Sequence, residues 1–253
     1  MKSIYNYPFY YSIAFSFVDI DRQTKLFSDF IKKYSRIKVK RVLDLGAGPG
    51  SQARAFAKLG YDVAALDNNK AMIFYIQKRA KEENLRISAV KRNFVSFNLS
   101  KKVDFAFMLM GTIGYIKNRN ELSSHLRSMA RVLKKGGLYL IENFRMNEND
   151  KSLFKEQRWT AKKDGIIVST KYLLKMIDKK NRLVQENLEL RVNDGSKRLR
   201  VSNRTRSTLI PFQEFLRLLE MNGDFQFIGA FDSRRFRILA RPQNRNIIVL
   251  RKR

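Results

Sequence analysis

The sequence predicts a doubly wound α/β sheet with an antiparallel β insertion after its fifth strand. Three observations carry that prediction. Apolar strands and amphipathic helices alternate strictly over residues 41–143. A glycine-rich turn joins the first strand of that series to the helix that follows. Beyond Asn143 the helical period gives way to strands at hairpin spacing over residues 158–210.

Residues 22–34 place Leu26, Phe27, Phe30, Ile31 and Tyr34 on one helix face. Val42 to Leu45 is a short buried strand ending in glycines. Ser51 to Leu59 is a helix, with Ser51 as its expected N-cap and Gly60 as its stop. Tyr61 to Leu66 is the second strand. Asn68 or Asn69 caps a helix running to about Glu83. Ile87 to Val90 is the third strand. Val103 to Met110 is the fourth, apolar on both faces as a central parallel strand should be. Asn120 to Leu133 is a helix stopped by Lys134-Lys135-Gly136-Gly137, and Leu138 to Ile141 is the fifth strand. In the insertion, Ile166–Leu174, Leu183–Val192 and Arg198–Leu209 read as strands. Asp164-Gly165, Lys179-Lys180-Asn181 and Asn193-Asp194-Gly195 are their turn signals. Pro211 opens a last helix to about Met221. Phe225–Phe231 and Ile247–Arg251 form a closing antiparallel pair. The expected organisation is an N-terminal aromatic segment (1–40), an α/β core (41–157), the insertion (158–210) and a C-terminal return to the core (211–253).

The 253 residues include 52 Lys+Arg against 23 Asp+Glu, a net charge of +29, with no Cys and one His. Without cysteine there is no disulfide framework, thiolate nucleophile or Cys-based zinc site, and a single His argues against any metal centre. The N-terminus lacks a signal-peptide core, and the longest apolar stretch, Phe105 to Ile116, is shorter than the ~20 residues a bilayer demands. A cytoplasmic chain without membrane insertion is expected. The charge excess favours anionic surroundings, nucleic acid among them. It is spread evenly, however: 26 basic against 11 acidic residues in 1–143, and 26 against 12 in 144–253. That evenness points to compositional bias more than to a dedicated nucleic-acid module.

Chemistry concentrates in Val42-Leu43-Asp44-Leu45-Gly46-Ala47-Gly48-Pro49-Gly50. Glycines there let the chain turn sharply and let a ligand approach the backbone, beside the free N–H groups of a helix start. Gly50 comes one residue earlier than the third glycine of a dinucleotide fingerprint. Asp44, just before the turn, suits a ligand ammonium better than a pyrophosphate. Asp67 ends the second strand about 20 residues after Gly46, where a carboxylate takes ribose hydroxyls.

With V-L-D-L-G-A-G-P-G (42–50), A-L-D-N-N (65–69), V-D-F-A-F-M-L-M-G-T-I-G-Y-I (103–116) and R-V-L-K-K-G-G-L-Y-L-I-E (131–142) in series, the chain resembles the class I S-adenosylmethionine-dependent methyltransferases. The resemblance implies a Rossmann-like core and S-adenosylmethionine as cofactor. It implies that Gly46, Gly48 and Gly50 pass under the methionyl part, that Asp44 orients the amino group, and that Asp67, beside Asn68, holds the ribose. Asn93-Phe94 fall where the family often has an Asp receiving the adenine amino group, so Asn93 implies an altered contact. Met110 would border the transfer region. The second half is similar to small-molecule enzymes, sugar N,N-dimethyltransferases among them, in which such an insertion is a lid over the acceptor. An N-terminal aromatic segment closes over the cofactor in these enzymes; here it carries Tyr5, Tyr7, Tyr10 and Tyr11. Tyr11 falls where relatives have a Tyr-Asp pair, with Ser12 in place of the Asp.

Tyr11 and Glu142, the latter at the ligand-binding end of the fifth strand, are the candidate catalytic residues. Glu142 either contacts an amine acceptor or serves as a cap or ion-pair partner. His125 is expected to be a satisfied surface or boundary residue rather than a base. Trp159 either walls the acceptor pocket or anchors the insertion. Arg198, Arg200, Arg204 and Arg206 share one face of a strand, with Leu199 and Val201 on the other. That face could hold an anionic acceptor or RNA, or be solvated and partly paired with Glu186 and Glu189. Lack of cysteine excludes C5 methylation of pyrimidines through a covalent adduct. Met-Leu-Met-Gly, in place of an Asn/Asp-Pro-Pro-aromatic signature, disfavours adenine-N6 methylation. The expectation is methyl transfer to a small molecule, at nitrogen more than oxygen. RNA methylation and a non-catalytic cofactor-binding partner subunit are the alternatives. Oligomeric state is not legible.

Overall fold

The computed structural model describes residues 3–145, 150–233, 237–240, 243–244 and 246–253. A short aromatic helix, α1 (Pro8–Ala14), and α2 (Ile20–Tyr34) precede β1 (Arg41–Leu45). The alternating series continues with α3 (Ser51–Lys58), β2 (Asp62–Asp67), α4 (Lys70–Glu82), β3 (Ile87–Lys91), β4 (Val103–Met108), α5 (Arg119–Val132) and β5 (Leu133–Glu142). The insertion holds β6 (Gln157–Lys163), β7 (Ile166–Asp178), β8 (Leu183–Asn193) and β9 (Arg198–Thr208). The chain returns through α6 (Phe212–Asn222), β10 (Phe225–Asp232) and β11 (Asn246–Lys252).

Seven strands form one sheet in the order β10-β11-β5-β4-β1-β2-β3. β1 pairs in parallel with both β2 and β4, so the strand order reverses beside it. Such a switch point opens a crevice at the carboxyl ends of the strands. All six residues of β4 are buried, which explains its unbroken apolar run. One apolar cluster packs Leu43, Met108, Leu126 and Phe215 on one face; a second packs Phe27, Phe56, Phe105 and Phe107 on the other.

Several local expectations are corrected. The N-cap of α3 is Gly50 in the left-handed region, with no side-chain cap, not Ser51. Lys134 to Gly137 does not merely stop a helix: it lies within β5, where Gly136 at φ +83° takes up an irregularity in the pairing with β4. β4 ends at Met108, and Met110 turns out of the strand at φ +55°. The insertion is a four-stranded sheet in the order β6-β7-β8-β9, one strand more than expected. Its inner face (Val168, Leu188, Leu190 and Val201) packs against Ile4, Ile13 and Ala14 of the N-terminal segment. The two segments are also tied by Tyr10 Oη donating to Asp194 (2.6 Å) and Trp159 Nε1 donating to the Ala14 carbonyl (2.6 Å). Trp159 lies edge-on to Phe15 and Phe17, so it anchors the insertion. No helix among the described residues is long and apolar enough to cross a membrane.

Candidate functional site

A cavity of about 400 Å³ lies at the switch point. Its floor is the β1–α3 turn. Gly46, Gly48 and Gly50 have φ of +67°, +53° and +74°, a region that costs side-chain-bearing residues. The Ala47 N–H donates to the Leu66 carbonyl (2.9 Å) and staples the turn to β2. Gly46 and Gly48 line the cavity; Gly50 instead faces α4, where a Cβ would meet Ile76 at 2.7 Å. At Gly48 a Cβ would meet only the Tyr11 ring, 4.0 Å away across the opening.

Two carboxylates stand at this turn. Asp67 accepts from Gly48 N–H and from Asn69 N–H, both at 2.8 Å, and Asn68 lines the cavity beside it. Two backbone donors leave a carboxylate with spare acceptor sites for a diol. Asp44 is buried beneath the turn at 3% exposure. Burial, with Asp67 close by, pushes its carboxyl up to about 8, against one opposing hydrogen bond from Ala53 N–H. A buried carboxyl this far from its ordinary range is poised for a cationic ligand group. This donor set fits S-adenosylmethionine: an acid for its ammonium, an acid for its ribose, and a glycine floor open to close approach.

Asn93, Phe94 and Val95 line the cavity beyond Asp67 and Asn68, where the resemblance would put the adenine. Asn93 uses its carbonyl oxygen to accept from Val95 N–H (2.9 Å), so any adenine amino group shares that oxygen. Phe94 is held from below by His125. This histidine is fully buried, not at the surface or boundary. Its Nδ1 donates to the Phe94 carbonyl (2.7 Å), which leaves Nε2 to accept from Tyr139 Oη (2.8 Å). Burial pushes the ring down to about 4. The unfolded chain therefore binds the proton first, and stability present above pH 6.5 is lost as pH falls toward 4. We expect about 2 kcal/mol of that loss to disappear in His125→Gln, read from urea unfolding at pH 7 and pH 4.5.

The opposite wall is aromatic. Tyr5, Tyr11 and Tyr115 line it with Thr112 and Thr205. Met110 lines the cavity between this wall and the glycine floor and is 42% exposed. Its N–H donates to Glu142 Oε2 (3.0 Å), and Glu142 Oε1 accepts from Gln23 Nε2 (2.9 Å). Glu142 is buried and does not line the cavity; of the two roles open to it, acceptor contact or cap, it takes the second here and holds the left-handed Met110 turn. Asn69 Nδ2 donates to Asn6 Oδ1 (2.9 Å) and ties the N-terminal segment to the core.

The site thus brings together Tyr11, Gly46, Gly48, Asp67 and Asn68 with Asn93, Phe94 and Met110, with Asp44 below and Gly50 and Glu142 behind. Sequence reasoning missed Thr112, Tyr115 and Thr205, and with them Arg145, Tyr172 and Glu186 behind the wall. Tyr115 stood in a quoted motif, T-I-G-Y-I, with no role assigned. Gly114 in that motif has a steric purpose, because an added Cβ would collide with the Arg145 guanidinium. Gly114→Ala is expected to lower the melting temperature by several degrees and to distort the tyrosine wall; thermal unfolding checks it.

Arg198, Arg200, Arg204 and Arg206 are exposed on the outer face of the insertion, opposite cavity-lining Thr205. Glu189 pairs with Arg191 and Arg200 there (2.8 Å each). Glu186 does not join them: it lies on the inner face, paired with Arg145.

Comparison with known proteins agrees with this fold. Residues 42–137 fit the family model described as a methyltransferase domain. A probable S-adenosyl-L-methionine-dependent methyltransferase, TehB of Haemophilus influenzae, is 29% identical over 119 residues, 47% of this chain and 41% of its own. The dTDP-3-amino-3,4,6-trideoxy-α-D-glucopyranose N,N-dimethyltransferase of Streptomyces venezuelae is 27% identical over 101 residues, 40% of this chain and 41% of its own. The chain spans less than half the length of these relatives. Among solved structures, an S-adenosylmethionine-dependent methyltransferase from Clostridium acetobutylicum superposes with a TM-score of 0.78 at 14% identity, covering 96% of each chain. The fold is that of the class I S-adenosylmethionine-dependent methyltransferases. The methyltransferase resemblance continues through the insertion. CalS10, an amino pentose methyltransferase from Micromonospora echinaspora solved with its cofactor bound, superposes with a TM-score of 0.72 at 16% identity, covering 94% of this chain and 93% of its own.

Proposed function

We propose that this methyltransferase-fold protein moves a methyl group from S-adenosylmethionine to an amine on a small, hydroxyl-rich acceptor. The observation that carries this reading is the cavity itself. One end holds the carboxylate and glycine set suited to the cofactor. The other is a wall of neutral tyrosine and threonine hydroxyls. When bound, the cofactor supplies an electrophilic methyl, so the protein's task is alignment and exclusion of water. Asp44 and Asp67 hold the ammonium and the ribose. The insertion and the N-terminal segment close the acceptor side, and Tyr11 stands over Gly48 where the two ligands meet. The amino-sugar and amino-pentose relatives are consistent with nitrogen as the target. The test is mass spectrometry after incubation with S-adenosylmethionine and a dTDP-3-amino-deoxyhexose: gain of one or two methyl groups is expected. Cofactor binding without turnover on any amine would favour a non-catalytic partner subunit.

RNA as the acceptor is the second reading, and the outward basic face favours it. Lys171, Lys175, Arg200 and Arg204 line a groove of about 530 Å³ there. This face is turned away from the cavity, so it suits docking of a polyanion more than gripping an anionic small acceptor. RNA binding with a steep salt slope, together with methylated nucleosides in the product, would select this reading.

A further inference from the structure

Behind the tyrosine wall sits a carboxylate that does not itself line the cavity. Glu186, on the inner face of β8, has a side chain only 15% exposed. Its Oε1 accepts from Tyr115 Oη at 2.5 Å. Its Oε2 accepts from Tyr172 Oη and Arg145 Nη2, both at 3.0 Å. Arg145 also donates to Tyr172 Oη at 3.3 Å. All of these partners donate, as an ionised carboxylate requires.

That requirement sets a direction. The single hydrogen of the Tyr115 hydroxyl points to Glu186, so at its 2.6 Å contact with Tyr5 Oη the Tyr115 oxygen accepts. The Tyr5 hydrogen is thereby spent as well. Tyr5 lines the cavity, and the only hydrogen-bonding capacity it has left there is lone pairs. A neutral hydroxyl wall thus acts as an acceptor because of a charge two hydroxyls away.

We infer that Tyr5, Tyr115 and Glu186 form a one-way relay that recognises an N–H donor on the acceptor and carries its proton to Glu186. The inference rests on the amine reading above and assigns it a residue path. An amine that enters as an ammonium must lose a proton before it becomes a nucleophile. Its N–H bond breaks as the Tyr5 oxygen takes the proton. Tyr5 passes its own hydrogen to Tyr115, and Tyr115 passes its hydrogen to Oε1. The amine ends neutral, both phenols are restored, and the carboxylate becomes a carboxylic acid. Arg145 and Tyr172 fix the carboxylate in place. Tyr5 touches the acceptor; Glu186 acts through the two phenols as a positioning residue and proton sink.

Two measurements on the full chain test this. The first needs no acceptor. Proton NMR should show downfield hydroxyl signals for Tyr115 and Tyr5, assigned with Tyr115→Phe and Tyr5→Phe. Glu186→Gln should move both, the Tyr5 signal included although Tyr5 does not touch residue 186. An unmoved Tyr5 signal overturns the relay. The second uses a dTDP-3-amino-deoxyhexose as probe. Glu186→Gln should lower kcat/KM at least tenfold at pH 7, with the deficit vanishing above the pKa of the probe amine. Affinity for S-adenosylhomocysteine should stay within twofold. Tyr115→Phe, which leaves the Glu186–Arg145 pair intact, should give the same pH-dependent loss. No deficit, or one equal at every pH, means the cluster is only structural. Failure of the wild-type protein to methylate any amine counts against the proposed function, and the NMR result still decides the relay.

Discussion

Asp44→Asn is expected to weaken S-adenosylmethionine binding at least tenfold while raising the melting temperature of the free protein at pH 8. Both effects have one cause. Burial lifts the Asp44 carboxyl from 3.8 to about 8. The folded chain therefore holds the proton more tightly than the unfolded chain. Stability conferred by the neutral acid is complete below pH 4 and is lost as pH rises toward 8. Each pK unit corresponds to ~1.4 kcal/mol, so the shift costs the free protein several kcal/mol at pH 8. An amide of the same shape avoids that cost. A gain of about 2–4 kcal/mol, or roughly 5–15 °C, is expected from thermal unfolding. The same substitution removes the charge that, in the proposed site, would face the cofactor ammonium. Wild-type affinity should also tighten as pH rises from 6 to 8, with proton release on binding; in Asp44→Asn both dependences should flatten. Titration calorimetry in buffers of different ionisation enthalpy reads this directly.

Gly46→Ala should be the most damaging small substitution in the turn. Gly46 has φ +67°, and an added Cβ would lie 2.5 Å from Thr112 Cγ2. Left-handed backbone costs a non-glycine residue about 1–2 kcal/mol, and overpacking adds a further ~1–3 kcal/mol. A total of roughly 2–5 kcal/mol is expected in urea unfolding. Thr112→Ala in the same chain should restore the packing part and leave the backbone part, which a double-mutant cycle separates. Gly48→Ala is the contrast: with only Tyr11 at 4.0 Å it should lose the backbone part alone, about 1–2 kcal/mol, without the packing part, and should obstruct the cavity.

What was legible in the sequence follows from the range of each interaction. The five parallel strands of the large sheet were readable because each carries an apolar run between residues 41 and 143 and each intervening helix presents one apolar stripe. The glycine turn and Asp67 were readable because their chemistry is set by neighbours in the chain. β6 was missed because Gln157-Arg158-Trp159-Thr160-Ala161-Lys162-Lys163 is a half-exposed edge strand in which no residue is buried. The depth of His125 was hidden because its partners, Phe94 and Tyr139, lie 31 and 14 residues away. The choice between the two roles open to Glu142 was hidden for a related reason: Gln23 and the Met110 N–H, which occupy its oxygens, lie 119 and 32 residues away. The Tyr115–Glu186–Arg145 cluster spans separations of 71 and 41 residues, beyond any local pattern. The arginine row was read correctly as one face of β9, whereas Glu186 belonged to the opposite face, as its pairing opposite Thr205 makes plain.

The proposed function requires the turn at Gly46–Gly50, with Asp44 and Asp67, to bind the methyl donor. Isothermal titration of the full chain with S-adenosylhomocysteine tests it most directly. Saturable binding at a single site is expected, with a loss of more than tenfold in Asp67→Ala. Absence of binding to the wild-type chain, or equal affinity in Asp67→Ala, would contradict it.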